Sequence, residues 1–509
     1  VIAPSTECAA GFDPDQRRVV SCRDRTIRVV APAGAGKTRT IVERVVDRLA
    51  RGADPRRILV LTFDTSAAAA VGTRLKERAR EEGIPIEGLR VATLNAFGYA
   101  LLRRHAPNEH RPIVSGAERD AIAAEARAAL ARRSPEHDDA VPRAEGRAWA
   151  ELFARLKDAL HDPRALELPA LAETLARQTP ELLDECGRRG FARAVEAVAW
   201  LFLAYQRALD LRGRMDFDDQ KLRACQVLRS DGSVRALLQR RYGEVVVDEF
   251  QDINRLDFEL VRMLATRAAL VVVGDDDQAI YAFRGCSPKW IIDLEARSGR
   301  RVTSLELRTN YRNPPNLLAA AVRLIRRNRR RIPKRPVASR ADDAAIELAP
   351  FASPARQAET VVHRILAARR RDPRLDWRDM AVLYRMNAES RPIQAALREA
   401  GVPYVVREED DEARGDRPLA VRHPSNGETP DAVSLLTYFR AKGLQWPVVF
   451  LTSCNEGVAP HRKAPVEDER RLFYVAMTRA SSALHAFWLD PETHGPPSRF
   501  LREAGLLRK

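Results

Sequence analysis

Ala31-Pro-Ala-Gly-Ala-Gly-Lys37-Thr38 follows the apolar run Ile27–Ala31 and precedes an amphipathic stretch, and this strand, loop and helix order decides the fold. Small residues let successive backbone N–H groups close around an anion, and the helix that follows offers its positive end to the same point. Lys37 is placed to reach β- and γ-phosphates, and the Thr38 hydroxyl suits Mg²⁺. Ala31 stands where the usual phosphate-loop pattern has Gly. A chance glycine turn would lack the flanking strand and helix, so a nucleotide site is expected here.

Outward from this loop, short β-branched runs recur at Ile58–Phe63, Val245–Val247, Leu270–Gly274, Ala381–Tyr384, Val433–Thr437 and Val448–Thr452. Each is bounded by polar turns, as buried parallel strands are, and Ala- and Arg-rich helical segments lie between them. The fold class is therefore α/β with helices on both sheet faces. The runs form two sets. The first, near 27, 58, 245 and 270, is interrupted from about 108 to 212 by a helical stretch without strand signals, which predicts an inserted helical subdomain. The second begins near Leu305 and closes near Trp488, with Arg407–Pro430, rich in charge, Pro and Gly, expected as a loop.

The chain has 509 residues, 45% hydrophobic and 31% charged, enough for several cores. Its longest continuous apolar stretches fall far short of the roughly 20 residues of a bilayer span, and no apolar signal core opens it, so a cytoplasmic location and no membrane partner are expected. The six cysteines show no Cys-x-x-Cys spacing, which excludes the common zinc and redox arrangements. A net charge of +16 favours a polyanionic partner. Only nine of the 86 basic residues are lysine, so a single arginine carries little information. The run Arg323–Arg335 is accordingly expected to be a solvated helix end before it is a phosphate contact.

Two acidic clusters end buried strands. In Asp248-Glu249 one carboxylate can hold Mg²⁺ while its neighbour polarises an attacking water. In Gly274-Asp275-Asp276-Asp277-Gln278 the uncharged Gln278 can hydrogen-bond a γ-phosphate or that water, and the three acids are an alternative Ca²⁺ or Mg²⁺ loop.

In order along the chain, Phe12-Asp-Pro-Asp-Gln16, the phosphate loop, Leu61-Thr-Phe63, Val91-Ala-Thr93, Met215-Asp-Phe217-Asp, VVVDEFQD (245–252), VVGDDDQAIYAFRG (272–285), TNYRNPPN (309–316), TYFRAKGLQW (437–446) and EDERRLFYVAMTRA (467–480) together resemble the UvrD/Rep/PcrA-like superfamily 1 DNA helicases. The resemblance implies two RecA-like P-loop motor domains with parallel sheets and ATP held between them. The first core would comprise 1–107 and 213–306, the inserted helical subdomain 108–212, and the second core 307–406 and 431–509. A short loop, 407–430, would replace the accessory subdomain of related motors. It further implies that Gln16 reads the adenine, that Gly34, Gly36, Lys37, Thr38 and Arg39 bind the nucleotide, that Tyr311 stacks on the base and that Gln445 meets the ribose. Thr38 and Asp248 would hold Mg²⁺, Glu249 would activate water, Gln278 would sense the γ-phosphate, and Arg312 and Arg479 would be arginine fingers. Tyr281, Phe283 and Arg284, with Phe63 and Thr93, would contact DNA.

Three places depart from the family pattern: Asp64-Thr65-Ser66 replaces Thr-Asn-Lys, Phe439 replaces His, and Gln445 replaces Glu. The expected activity is ATP- and Mg²⁺-dependent translocation on single-stranded DNA with unwinding, 3′ to 5′, acting on single strands and junctions in repair, replication or antiphage defence. A protein partner such as a nuclease or repair factor is expected too. The alternative is a DNA-activated ATPase switch that gates such a partner without processive unwinding.

Overall fold

The computed structural model describes residues 11–407 and 431–507. The chain divides into two compact units, one made of Val1–Val29, Thr38–Gly274 and Tyr281–Leu305, the other of Val30–Lys37, Asp275–Ile280 and Glu306–Lys509.

The first unit is built on strands β1 (Thr26–Val30), β2 (Ile58–Thr62), β3 (Arg90–Thr93), β4 (Glu244–Val247), β5 (Ala269–Gly274) and β6 (Thr303–Glu306), in the order β3-β2-β4-β5-β1-β6. The pairings β2–β3, β2–β4 and β4–β5 are parallel, with Val60 opposite both Val91 and Val246, and Val246 opposite Val271. Every residue of β2 and β4 is buried, which is why Ile58–Leu61 and Val245–Val247 read as continuous apolar runs. β6 was expected to open the second set of strands; it closes the edge of this sheet instead. Helix Lys37–Ala50 buries Ile41, Val42, Val45, Val46 and Leu49 on one face. Its buried Arg44 bonds Glu244 Oε1 at 2.9 Å and the carbonyls of Val19 and Cys22, fixing the helix to the start of β4.

Between β3 and β4 the chain is helical, and helices Gly116–Arg133, Gly146–Asp158, Leu168–Gln178 and Pro180–Leu211 enclose their own core around Trp149, Phe153, Phe202 and Tyr205. Backbone bonds Val114 N–H to Met215 O (2.9 Å) and Met215 N–H to Pro112 O (3.1 Å) pin the entry of this insertion to its exit. Beneath that junction lies a buried ion cluster. Lys157 Nζ is 2.6 Å from Asp216 Oδ2 and 2.9 Å from Asp219 Oδ1, and the Tyr205 hydroxyl donates to Asp216 at 2.8 Å. Lys221 bridges Asp158 and Asp257 at 3.2 and 2.8 Å. Burial opposes the Lys157 charge, but Asp216 and Asp219 outweigh it and raise its pKa.

The second unit carries the two-stranded β7 (Thr309–Asn310) and β8 (Val337–Ala338), and a sheet of β9 (Ala345–Phe351), β10 (Met380–Tyr384), β11 (Tyr404–Arg407), β12 (Val433–Thr437), β13 (Trp446–Leu451) and β14 (Ala480–Leu489). Its order is β11-β12-β10-β13-β14-β9, parallel throughout, with Val382 opposite Leu435 and Phe450. Helices Pro354–Arg371 and Ser390–Glu399 cover one face through Val361, Ile365, Ile393 and Leu397. The half-exposed edge strand β9 lacks the apolar continuity that betrays the central strands. Beyond Arg407, the segment expected to replace an accessory subdomain lies outside the described residues. Among the described residues no helix is long and apolar enough to cross a membrane.

Removing one partner of a buried ion cluster strands the others. Lys157→Met is expected to lower stability by about 3–5 kcal/mol, seen as an earlier urea transition; an unchanged midpoint would show that Asp216 and Asp219 find other partners.

Candidate functional site

In the second unit the phosphate loop is held by backbone. Gly34 and Gly36 both have φ of +76°, and a methyl group on Gly34 would lie 2.7 Å from Arg312 Cβ and 3.0 Å from Asn310 Oδ1. Only glycine fits this approach. Tyr311 N–H donates to Gly34 O at 2.9 Å and Asn310 Nδ2 to Ala33 O at 2.7 Å, so TNYR is laced directly onto the loop. Lys37 Nζ donates to Ala31 O at 3.5 Å. The Tyr311 ring is 43% exposed.

The two expected arginine fingers differ in setting. Arg312 donates through Nε to Gln445 Oε1 at 2.7 Å and through Nη1 to Thr478 O at 3.4 Å. Gln445, expected at the ribose, is thus placed against Arg312. Arg479 is only 1% exposed, which removes the reading of it as one more surface arginine. It bonds Val475 O (2.9 Å), Leu444 O (3.1 Å) and Thr478 Oγ1 (3.2 Å), and its Nη2 meets Gln278 Oε1 at 3.5 Å.

Asp275, Asp276 and Asp277 are buried, and their oxygens meet cations of this chain. Lys334 Nζ is 2.6 Å from Asp275 Oδ1 and 2.8 Å from Asp277 Oδ2, and also bonds Asp276. Arg331 forks onto Asp277 at 2.9 and 2.6 Å, and Ile332 N–H donates to Asp276 at 2.8 Å. Burial raises the Asp275 carboxyl, but Lys334 and then Lys37 reverse this and hold it below the usual range; Asp276, raised by burial, stays above it. The alternative metal loop is therefore filled by an ammonium and a guanidinium. Among the described residues no group of three or more His, Cys, Asp and Glu is placed to hold a metal. The Arg323–Arg335 run does begin as a solvated helix end, with the helix stopping at Ile325 and Arg326, Arg327, Arg329 and Arg330 exposed, but it continues into Arg331 and Lys334, which turn to these carboxylates. Its lysine is buried.

In the first unit, Asp248 follows β4 directly, is buried, and accepts Glu249 N–H at 2.9 Å. Glu249 has φ 48° and ψ 43°, a left-handed conformation that strains a non-glycine residue. Gln251 Nε2 bonds Glu249 Oε2 and, at 3.2 Å, Asp252 Oδ2. A methyl group on Gly274, at the end of β5, would come 2.4 Å from Gln251 Oε1, so glycine there leaves room for the residue that holds Glu249. Thr38 and Asp248 are a hydroxyl and a carboxylate, the hard oxygen donors that Mg²⁺ takes, so the residues present fit that ion. Gln16 closes a capping box with Asp13, its Oε1 accepting Asp13 N–H at 3.2 Å. Arg39 lies 4.2 Å over the Phe12 ring.

Also in the first unit, Phe63 and Tyr281 stack at 5.3 Å and 13°, Phe283 meets Tyr281 edge-on at 6.1 Å, and Arg284 covers both rings at 5.6 and 5.7 Å. Phe283 is 52% exposed, so core packing does not account for it. Thr93, expected at DNA, is buried and caps helix Leu94–His105 through Ala96 N–H at 3.1 Å. Asp64, where the family pattern has Thr, caps helix Thr65–Glu81 and accepts Ala67 N–H at 2.7 Å. Phe439 lies under Arg385, whose guanidinium is 5.0 Å from the ring. Sequence reasoning missed Asn310, Gln251, Arg331 and Lys334. The first two lie inside quoted motifs, whereas nothing in the basic run shows that its one lysine is buried among carboxylates and most of its arginines are not.

Residues 12–298 match the UvrD/REP helicase N-terminal domain, and residues 305–411 and 419–490 the UvrD-like helicase C-terminal domain. The chain is 30% identical to ATP-dependent DNA helicase UvrD1 of Mycobacterium tuberculosis (strain H37Rv) over 79% of its own length and 50% of that protein. It is 28% identical to UvrD2 of the same strain, over 97% of its length and 81% of the relative. To DNA helicase II of Escherichia coli K12 it is 28% identical, over 76% and 50%. The chain thus spans about half the length of UvrD1 and of DNA helicase II. Its ordered motifs, its two parallel sheets and these matches together make it a member of the UvrD/Rep helicase family.

Proposed function

We propose that this chain is an ATP- and Mg²⁺-dependent DNA helicase that translocates on single-stranded DNA, 3′ to 5′. The observation that carries the proposal is the gathering, within one compact unit, of the phosphate loop, Gln278, Arg312 and Arg479. A triphosphate suits that set. Lys37 and the loop N–H groups answer the charge of the β- and γ-phosphates, and the two guanidiniums answer the charge that develops during phosphoryl transfer. Gln16, Arg39 and Tyr311 would hold the base and its surroundings, with Gln445 steadying Arg312. Bound Mg²⁺ would neutralise phosphate charge. Thr38 and Asp248 are the residues to hold it, while Glu249, steadied by Gln251, takes the proton of the attacking water.

Phe63, Tyr281 and Phe283, with Arg284, form a run of aromatic faces that accepts any base, which a sequence-indifferent motor requires. We assign the first motor core to 1–107 and 213–306, the helical insertion to 108–212 and the second core to 307–406 and 431–509. DNA repair, replication or antiphage defence in the cytoplasm, with a nuclease or repair factor as partner, are the settings such a motor fits. A forked duplex with a 3′ tail tests the activity. ATP-dependent strand displacement is expected; DNA-stimulated hydrolysis without displacement would favour the ATPase switch, and absence of both would refute either.

Glu249→Gln is expected to lower kcat by about 10²–10⁴-fold while ATP and single-stranded DNA still bind; near-normal turnover would remove Glu249 as the base. Phe283→Ala is expected to weaken single-stranded DNA binding by about 1–3 kcal/mol with an unchanged melting temperature, measured by fluorescence anisotropy. Unaltered binding would remove the stacking role.

A further inference from the structure

Lys334 lies outside every motif that carries the family resemblance, yet it is one of the most completely enclosed charges in the chain, 2% exposed among three carboxylates. An ammonium here is stable only because those carboxylates face it, and burial, which lowers its pKa, is outweighed by them so that it stays charged. What it does follows from the two oxygens of Asp275. Oδ1 accepts from Lys334 at 2.6 Å and Oδ2 accepts from Gln278 Nε2 at 2.6 Å. With its amide nitrogen committed to Asp275, Gln278 turns Oε1 toward Arg479 Nη2, 3.5 Å away. The Gln278 backbone is held as well, its N–H by Asp275 O at 2.9 Å and its carbonyl by Lys442 Nζ at 2.7 Å.

We propose that Lys334 is a positioning residue for Gln278, acting through Asp275 to fix which end of the Gln278 amide faces the reacting phosphate and water. This rests on the assignment of Gln278 to ATP hydrolysis. Without the ammonium, three buried carboxylates repel one another, Arg331 forks onto Asp277, and Asp275 Oδ1 keeps the Asp277 N–H at 3.2 Å but loses the 2.6 Å charged contact that steadies its plane. Gln278 can then rotate, presenting amide and carbonyl ends indifferently. Binding of ATP, which depends on the phosphate loop, has no such requirement.

The test is a double-mutant cycle on the full chain with single-stranded oligo(dT) as the DNA, comparing Lys334→Met, Gln278→Ala and both together by steady-state ATPase kinetics. Lys334→Met is expected to lower kcat by about 10-fold or more with KM for ATP nearly unchanged. In the Gln278→Ala background the same substitution is expected to do little further, because the residue it positions is gone. Additive losses in the double variant, or a rise in KM without a fall in kcat, would overturn the positioning role. Full activity of Gln278→Ala would instead overturn the assignment on which it rests. Circular dichroism and melting establish that each variant folds. Should Lys334→Met fail to fold, Asp275→Asn takes its place in the cycle, with the same kcat loss and the same non-additivity expected.

Discussion

A parallel sheet buried on both faces has no room for polar chemistry except at its strand ends, and this constraint organises the whole molecule. β2 and β4 are buried at every position, so both are apolar over Ile58–Leu61 and Val245–Val247, and their polar residues stand at the strand ends, Thr62 on β2 and the Arg44-paired Glu244 on β4. The phosphate loop follows β1, Phe63 follows β2, Thr93 ends β3, Asp248 follows β4 and Asp275 follows β5. In the second unit Tyr438 follows β12 and Arg385 follows β10 by the same rule. Because β2, β3 and β4 are parallel, Phe63, Thr93 and Asp248 leave the sheet at the same edge, and residues far apart in sequence become neighbours without any long-range design beyond strand order.

The second requirement is that charges buried at those ends be compensated in place. Asp275, Asp276 and Asp277 carry three charges into a region from which water is excluded, and the structure answers with Lys334 and Arg331 in place of a metal ion. The joint of the helical insertion solves the same problem with Lys157 and Lys221 against Asp158, Asp216, Asp219 and Asp257. In both clusters burial works against ionisation; pairing outweighs it for Lys157, Lys221, Lys334 and Asp275, while Asp158 and Asp276 stay above the usual carboxylate range, and the hydrogen bonds hold the geometry. Preorganised backbone is what a hydrolytic site needs, and also what keeps an insertion of about a hundred residues in register with the sheet it interrupts.

Much of this was legible in the sequence, for identifiable reasons. Central strands announce themselves because burial on two faces forces continuous apolar runs; Val433–Thr437 was bounded correctly and the other runs to within about two residues. Edge strands did not. β3 begins with Arg90 and β9 is half-exposed, so neither needs an apolar signature, and the apolar runs alone put β6 in the second set, since local sequence carries no record of which sheet a strand joins, whereas the 213–306 bound implied by the family resemblance keeps it in the first. Of the candidate site, the residues proposed to meet phosphate are visible as a pattern, since such a loop needs small residues and a lysine at fixed spacing. Those that hold the first layer in place were not. Asn310 on the loop backbone and Lys334 under Asp275 are defined by tertiary approach alone, and Asp64 showed as a departure from the family where its local task is a helix cap.

The scarcity of lysine gives this last point a physical meaning. In a chain with nine lysines among 86 basic residues, Lys157, Lys221 and Lys334 are all buried and each faces two or three carboxylates. A guanidinium is planar and forks onto one carboxylate, as Arg331 does on Asp277 and Arg385 on Glu469. An ammonium is compact and directs three donors to separate acceptors, so it can sit at the centre of a carboxylate triangle that a guanidinium would force apart. Lys37, proposed to meet a triphosphate, would follow the same logic, since the oxygens of a polyphosphate also surround a point charge. Arginine can also meet three carboxylates, as Arg78 does with Glu43, Glu81 and Glu82, but through three separate nitrogens of a side chain 26% exposed, whereas the shells of Lys157, Lys221 and Lys334 close on one buried atom.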